Sequence, residues 1–154
     1  MRTINDWLNE YGESHKNETN KLIHWICVPI IVFSILGMLY SIKLPFYMGN
    51  YQLNVGLITS VVALLYYFSL SASLSVGMFL YLLGCMLLAN FIERSGIIPL
   101  WLFSMVIFVL AWVGQFFGHK IEGKKPSFLK DIQFLMIGPA WLMSFIYKKL
   151  GVGL

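Results

Sequence analysis

Three histidines are the residues of this 154-residue chain best suited to chemistry, and all of them, His15, His24 and His119, fall in the short polar stretches flanking its hydrophobic runs. Trp112, Gln115, His119 and Glu122 recur at i, i+3, i+7 and i+10, which puts an indole, an amide, an imidazole and a carboxylate on one stripe of a helix. Asn17, Asn20 and His24 share a second stripe, from which an amide could orient an imidazole by bonding its other nitrogen. Three histidines, or two with a carboxylate, hold a transition metal and leave open positions suited to non-haem iron and O2. Zinc hydrolysis uses a similar donor set, and spacing alone does not choose between them. Glu122 and Asn20 are the candidates for catalytic work beside such a metal. The eight or more histidines of the membrane diiron hydroxylases and desaturases are absent, so that class is set aside.

The elements that must position these groups are membrane spans. The chain is 58% hydrophobic and only 12% charged, which no ordinary water-soluble domain matches. Uncharged runs of 21 residues separate Lys21 from Lys43, 49 separate Lys43 from Glu93, 25 separate Arg94 from Lys120, and 16 separate Asp131 from Lys148. A helix needs roughly 20 apolar residues to cross about 30 Å of hydrocarbon, so the first and third runs each hold one span and the second holds two. The small polar residues Ser69, Ser71, Ser73, Ser75 and Gly77 mark the turn inside the long run. The expected fold is a single all-α integral membrane domain over residues 1–154, with spans near 25–42, 53–70, 76–92 and 97–117. The fifth apolar segment, 132–147, is short and interrupted by Gly138 and Pro139, which predicts a re-entrant or interfacial helix rather than a straight span.

Asp6, Glu10, Glu13 and Glu18 break the amino-terminal stretch, so no cleavable signal peptide is expected. Ile4, Trp7, Leu8 and Tyr11 follow helical spacing and form an amphipathic helix, to lie either on the membrane surface or on the bundle. With a cytoplasmic amino terminus, Arg2, Lys16, Lys21, Lys120, Lys124, Lys125 and Lys130 fall on the inner side and only Lys43 and Arg94 on the outer. That asymmetry sets the orientation. An even number of spans then brings the segment with His15 and His24 and the segment with His119 to one cytoplasmic face. In one straight helix His15 and His24, nine positions apart, would point in opposite directions. A break is therefore predicted between Gly12 and Asn20, with His24 on the first turn of span one and His15 folded back.

Each signal also has a plainer reading. Histidine and tryptophan at a membrane edge serve as interfacial anchors, Lys124 and Lys125 suit lipid phosphate, and Gln115 suits a neighbouring helix. Cys27 and Cys85 sit in separate spans and read as small packing residues. On that reading the chain is a non-catalytic protein that organises lipid.

Two stretches carry a family resemblance. Residues 11–29, YGESHKNETNKLIHWICVP, place a histidine, an asparagine five on, a second histidine four later and then a proline. Residues 112–126, WVGQFFGHKIEGKKP, supply a second motif. Both resemble the small membrane family of the yeast endoplasmic-reticulum 2-hydroxy fatty acid dioxygenase, which acts in α-oxidation during phytosphingosine breakdown, and the resemblance runs over roughly residues 1 to 148. It implies an Fe(II)-dependent dioxygenase that shortens a 2-hydroxy fatty acid by one carbon, with His15, His24 and His119 as iron ligands and Glu122 in the second motif. A 2-hydroxy acid plus O2 balances to the shorter acid, CO2 and water with all four electrons from the substrate, so no nicotinamide, flavin or 2-oxoglutarate is required. That agrees with the absence of a GxGxxG loop. Gln115, Lys120, Lys124 and Lys125 are placed to meet the acid head group while the alkyl tail lies in the apolar bundle. The expected partners are the 2-hydroxy fatty acid, O2 and membrane lipid, with no nucleic acid, and the small size suits a homodimer. The expected location is a bacterial inner membrane or the endoplasmic reticulum, with zinc-dependent lipid hydrolysis or isomerisation the alternative chemistry.

Overall fold

The computed structural model describes residues 3–13, 15–123 and 128–154. Their order is α1 (Ile4–Glu13), α2 (Glu18–Tyr40), β1 (Lys43–Met48), β2 (Tyr51–Asn54), α3 (Val55–Leu70), α4 (Ala72–Ser95), α5 (Leu100–Glu122) and α6 (Phe128–Leu150). Apart from one two-stranded antiparallel hairpin, the regular structure among the described residues is helical, as expected. Three helices, α2, α4 and α5, are long and apolar enough to cross a membrane. The expectation of four such spans is not met by length, because α3 has 16 residues and at 1.5 Å per residue reaches about 24 Å. It nevertheless runs from one end of the bundle to the other. A side chain at Gly56 would meet the α2 backbone at Tyr40, and Tyr67 donates from its hydroxyl to the Met136 carbonyl at the opposite end.

The first two residues of the expected second span, 53–54, fall instead in the hairpin strand β2, which sequence reasoning missed. Its signal is the Gly49-Asn50 pair, flanked by Tyr47-Met48 and Tyr51-Gln52, and Gly49 adopts φ 62°, the left-handed conformation that hairpin turns require. Asn54 then caps α3 by accepting from Leu57 N at 2.9 Å. The turn between α3 and α4 falls inside the expected serine cluster and is a single residue, Ser71, whose hydroxyl caps α4. Gly77 does not belong to that turn. It lies buried in α4, where the Tyr147 hydroxyl approaches its backbone.

The principal pairing is α2 against α5, antiparallel and close because small residues line the seam. Gly37 faces Ser104, Gly114 faces Cys27, and Gly118 faces Asn20 and Ile23. Small residues let helix backbones approach where the hydrophobic effect offers no discrimination between protein and lipid.

α6 is one continuous helix through Pro139, so the expected interruption does not occur. A proline removes one helical hydrogen bond and crowds the carbonyls of the preceding turn. Here the Tyr67 hydroxyl, 2.7 Å from Met136 O, serves a carbonyl of that turn. Both halves of α6 attach to the same end of the bundle. Gly138 packs on Tyr11 and Val28, while the Tyr147 hydroxyl donates to Ser73 O and accepts from Gly77 N. α6 therefore lies across that end rather than along the bundle. α1 lays Ile4, Leu8 and Tyr11 against Phe134, Ile137 and Trp141 of α6, so its apolar face is spent on protein, the second of its two expected placements.

Candidate metal centre

The three imidazoles meet where α1, α2, α5 and α6 converge. α1 ends at Glu13 and α2 begins at Glu18, which is the break that opposed helical positions demand. Asn17 caps the new helix, its side-chain oxygen accepting from Thr19 N at 2.9 Å and Asn20 N at 3.2 Å. The break turns His15 back until its Nε2 lies 2.8 Å from Nε2 of His24. His24 stands on the second turn of α2, one turn later than expected, because capping begins the helix at Glu18. His119 approaches from α5, with ring centroids 5.2 Å from His24 and 5.9 Å from His15. One ligating nitrogen from each of the three lies within 4.8 Å of the other two. His15 and His24 are buried and His119 is half-buried.

Hydrogen bonds fix the tautomers of the closest pair. Nδ1 of His15 lies 2.6 Å from the Tyr11 carbonyl, and Nδ1 of His24 lies 2.9 Å from the Asn20 carbonyl. A carbonyl oxygen only accepts, so each Nδ1 carries the ring hydrogen and each neutral Nε2 presents a lone pair. Burial pushes the His15 imidazole below its ordinary pKa and favours the neutral ring. With both rings neutral, two lone pairs face each other at 2.8 Å, an arrangement that repels unless a shared proton or a metal ion lies between them. Two nitrogens bound at about 2.1 Å and a right angle to one ion sit about 3.0 Å apart. The pair fits that separation, and the widest spacing in the trio exceeds the diameter of such a shell, about 4.2 Å, by about half an ångström.

Aromatic rings hold the cluster in place. Tyr11 stacks on His15 with centroids 4.2 Å apart and planes 10° from parallel, and Trp141 stands 5.4 Å from the same imidazole. Neither was singled out as a site residue from sequence. The signal for Tyr11 lies in its position four before His15, which mirrors Asn20 four before His24.

The other expected site residues have different fates. The Asn20 side chain does not orient an imidazole. Its backbone carbonyl does so, while its Nδ2 donates to Glu122 Oε2 at 3.0 Å. Glu122 sits on the expected stripe, yet its carboxylate turns to Lys16 N at 2.9 Å and Asn17 N at 3.0 Å. The reason is local, since Gly123 takes φ 71° and ends α5 immediately after Glu122, beside the exposed amides of the break. Gln115 is buried one turn before His119, and Lys120 is exposed. Lys124 and Lys125 lie outside the described residues.

A helical bundle with three helices of membrane-spanning length and a buried three-imidazole cluster at one end defines the class as a membrane-type protein with a candidate metal centre. Within that class, the chain belongs to the Mpo1-like family, described as "2-hydroxy-palmitic acid dioxygenase Mpo1-like", which it matches over residues 1–150. It is 31% identical over 149 residues to the 2-hydroxy-palmitic acid dioxygenase MPO1 of Saccharomyces cerevisiae, covering 94% of this chain and 79% of the relative. No solved structure matches it.

Proposed function

We propose that His15, His24 and His119 hold Fe(II) and that the protein is a dioxygenase converting a 2-hydroxy fatty acid and O2 into the fatty acid one carbon shorter, CO2 and water. The observation that carries this reading is the pair of Nε2 atoms 2.8 Å apart, each ring bonded through Nδ1 to a backbone carbonyl, with a third imidazole close by. Family membership supports the substrate class. Fe(II) supplies the O2 chemistry that organic side chains lack, and three protein donors leave positions open for the reactants. The bond between the carboxyl carbon and the carbinol carbon breaks. The carboxyl leaves as CO2, the carbinol carbon becomes the new acid, and the four electrons reducing O2 all come from the substrate.

The protein's own part is to bind, orient and exclude water. Backbone carbonyls of Tyr11 and Asn20 keep two imidazoles in the ligating tautomer, and the Tyr11 and Trp141 rings shield His15. Half-buried His119 marks the side from which substrate reaches the cluster. Gln115, Lys120, Lys124 and Lys125 receive the anionic head group while the tail lies among apolar helices. The bundle crosses the membrane with α3 as a fourth passage, α6 lies at the interface, and the histidine end faces the cytoplasm, where most Lys and Arg residues fall.

The test is aerobic incubation of the purified full-length protein with 2-hydroxypalmitate and Fe(II), with O2 uptake and products measured beside metal analysis of protein prepared without added metal. The expected result is stoichiometric O2 consumption with release of CO2 and the shorter acid. Bound zinc with no O2 uptake would favour the hydrolase reading instead.

A further inference from the structure

His15 lies in the break between α1 and α2, where no helical ladder holds the backbone, yet it must stay within 2.8 Å of His24. The two amides that follow it, Lys16 N and Asn17 N, donate to Glu122 Oε1 and Oε2 at 2.9 and 3.0 Å. Asn20 Nδ2 adds a third bond, to Oε2 at 3.0 Å. Glu122 is on the last turn of α5, three residues after His119, and Asn20 is one turn before His24. One carboxylate thus ties together the segments that carry all three imidazoles. It also places a negative charge at the amino-terminal end of α2, where unpaired N–H groups and the helix dipole favour one.

We infer that Glu122 is a positioning residue: without touching the metal, it closes the break that carries His15 and so sets the metal affinity of the three-histidine cluster. The inference rests on the metal-centre reading for its affinity claim, and on the hydrogen bonds alone for the closure. Three N–H donors converge on the group, and a carboxylate offers only acceptors. Glutamine has the same shape but one acceptor oxygen, and its amide hydrogens would confront an N–H.

The experiment compares the full-length wild type with Glu122→Gln, and with Glu93→Gln as a control at the far end, where Glu93 pairs with Lys43. Hydrogen exchange over the segment around residues 15–20 is followed in metal-free protein, and Co(II) binding is then titrated with its visible spectrum recorded. In Glu122→Gln the segment should exchange at least tenfold faster, and Co(II) affinity should fall by about 10- to 100-fold. The spectrum at saturation should match wild type, because the ligands are unchanged. Glu122→Asp, which keeps both oxygens one methylene short, should fall between the two and serves if the glutamine variant does not fold. An altered saturated spectrum would make Glu122 a ligand and overturn the inference. Unchanged exchange would overturn the closure, and faster exchange with unchanged affinity would overturn the control of metal binding. A wild type that binds no metal would fail the metal-centre reading and the affinity claim with it, whereas the exchange comparison would still decide the closure.

Discussion

Gly118→Ala tests whether close α2–α5 packing builds the site. A Cβ at Gly118 would lie 2.5 Å from Asn20 Oδ1 and 3.3 Å from Ile23 Cγ2. Ordinary contact begins near 3.4 Å, so the two must separate by about 0.9 Å. Asn20 is fully buried and tied through Nδ2 to Glu122, so it has no free direction in which to yield. Overpacking of this kind costs about 1–3 kcal/mol, and weakening the charge-assisted bond to Glu122 adds about 1.5–3 kcal/mol. The helix propensity of alanine returns about 1 kcal/mol. A net loss of about 1.5–5 kcal/mol is expected. Gly118 directly precedes His119, so a shift of this size should also weaken metal binding, by about tenfold or more. Thermal unfolding in detergent and metal titration measure the two effects, with Gly84→Ala as the control, since nothing lies within 4 Å of a Cβ there. Combining Gly118→Ala with Asn20→Ala removes the clashing oxygen, so the alanine at 118 should cost less in that background. If Gly118→Ala is as stable as Gly84→Ala and binds metal like wild type, the packing argument is wrong.

Other outcomes follow from the same geometry. His24→Ala should abolish stable metal retention, read by elemental analysis after gel filtration, because it removes one of the two closest donors; full retention would exclude His24 as a ligand. Burial holds the folded His15 below its ordinary pKa, so below about pH 6.5 the unfolded chain binds a proton that the folded one refuses. Stability should therefore be fully present above that pH and decline as pH falls, by at most about 1.4 kcal/mol per unit for this group; melting temperatures between pH 5 and 7.5 that are flat, or equally steep in His15→Gln, would contradict this. Gly56→Ala would press a methyl to 2.8–2.9 Å from the backbone of Leu36 and Tyr40, so unfolding should be easier by about 1–3 kcal/mol. Tyr67→Phe removes the hydroxyl bonded to Met136 O ahead of Pro139 and should cost about 1 kcal/mol, with faster amide exchange in α6.

Patterns along the chain settled much of this protein. Charge gaps located α2, α4 and α5, because apolar length is a one-dimensional requirement of a membrane. The angular step of a helix demanded the break between His15 and His24, and that break is present. The trio of imidazoles was legible as a set, since both histidine segments fall at one end of the bundle. Contacts between distant residues decided the rest. The partners of Glu122 lie more than 100 positions away, and no local spacing announces that a carboxylate on a histidine stripe will close a loop. Pro139 breaks an isolated helix by local rules, whereas a tyrosine from α3 serves the crowded turn before it and α6 continues. The tautomers of His15 and His24 depend on carbonyls that only the folded chain brings within hydrogen-bonding distance. Sequence thus determined which imidazoles could come together and at which end of the bundle, and tertiary structure decided which nitrogens face one another, because ring nitrogens are aimed by hydrogen bonds and packing rather than by spacing.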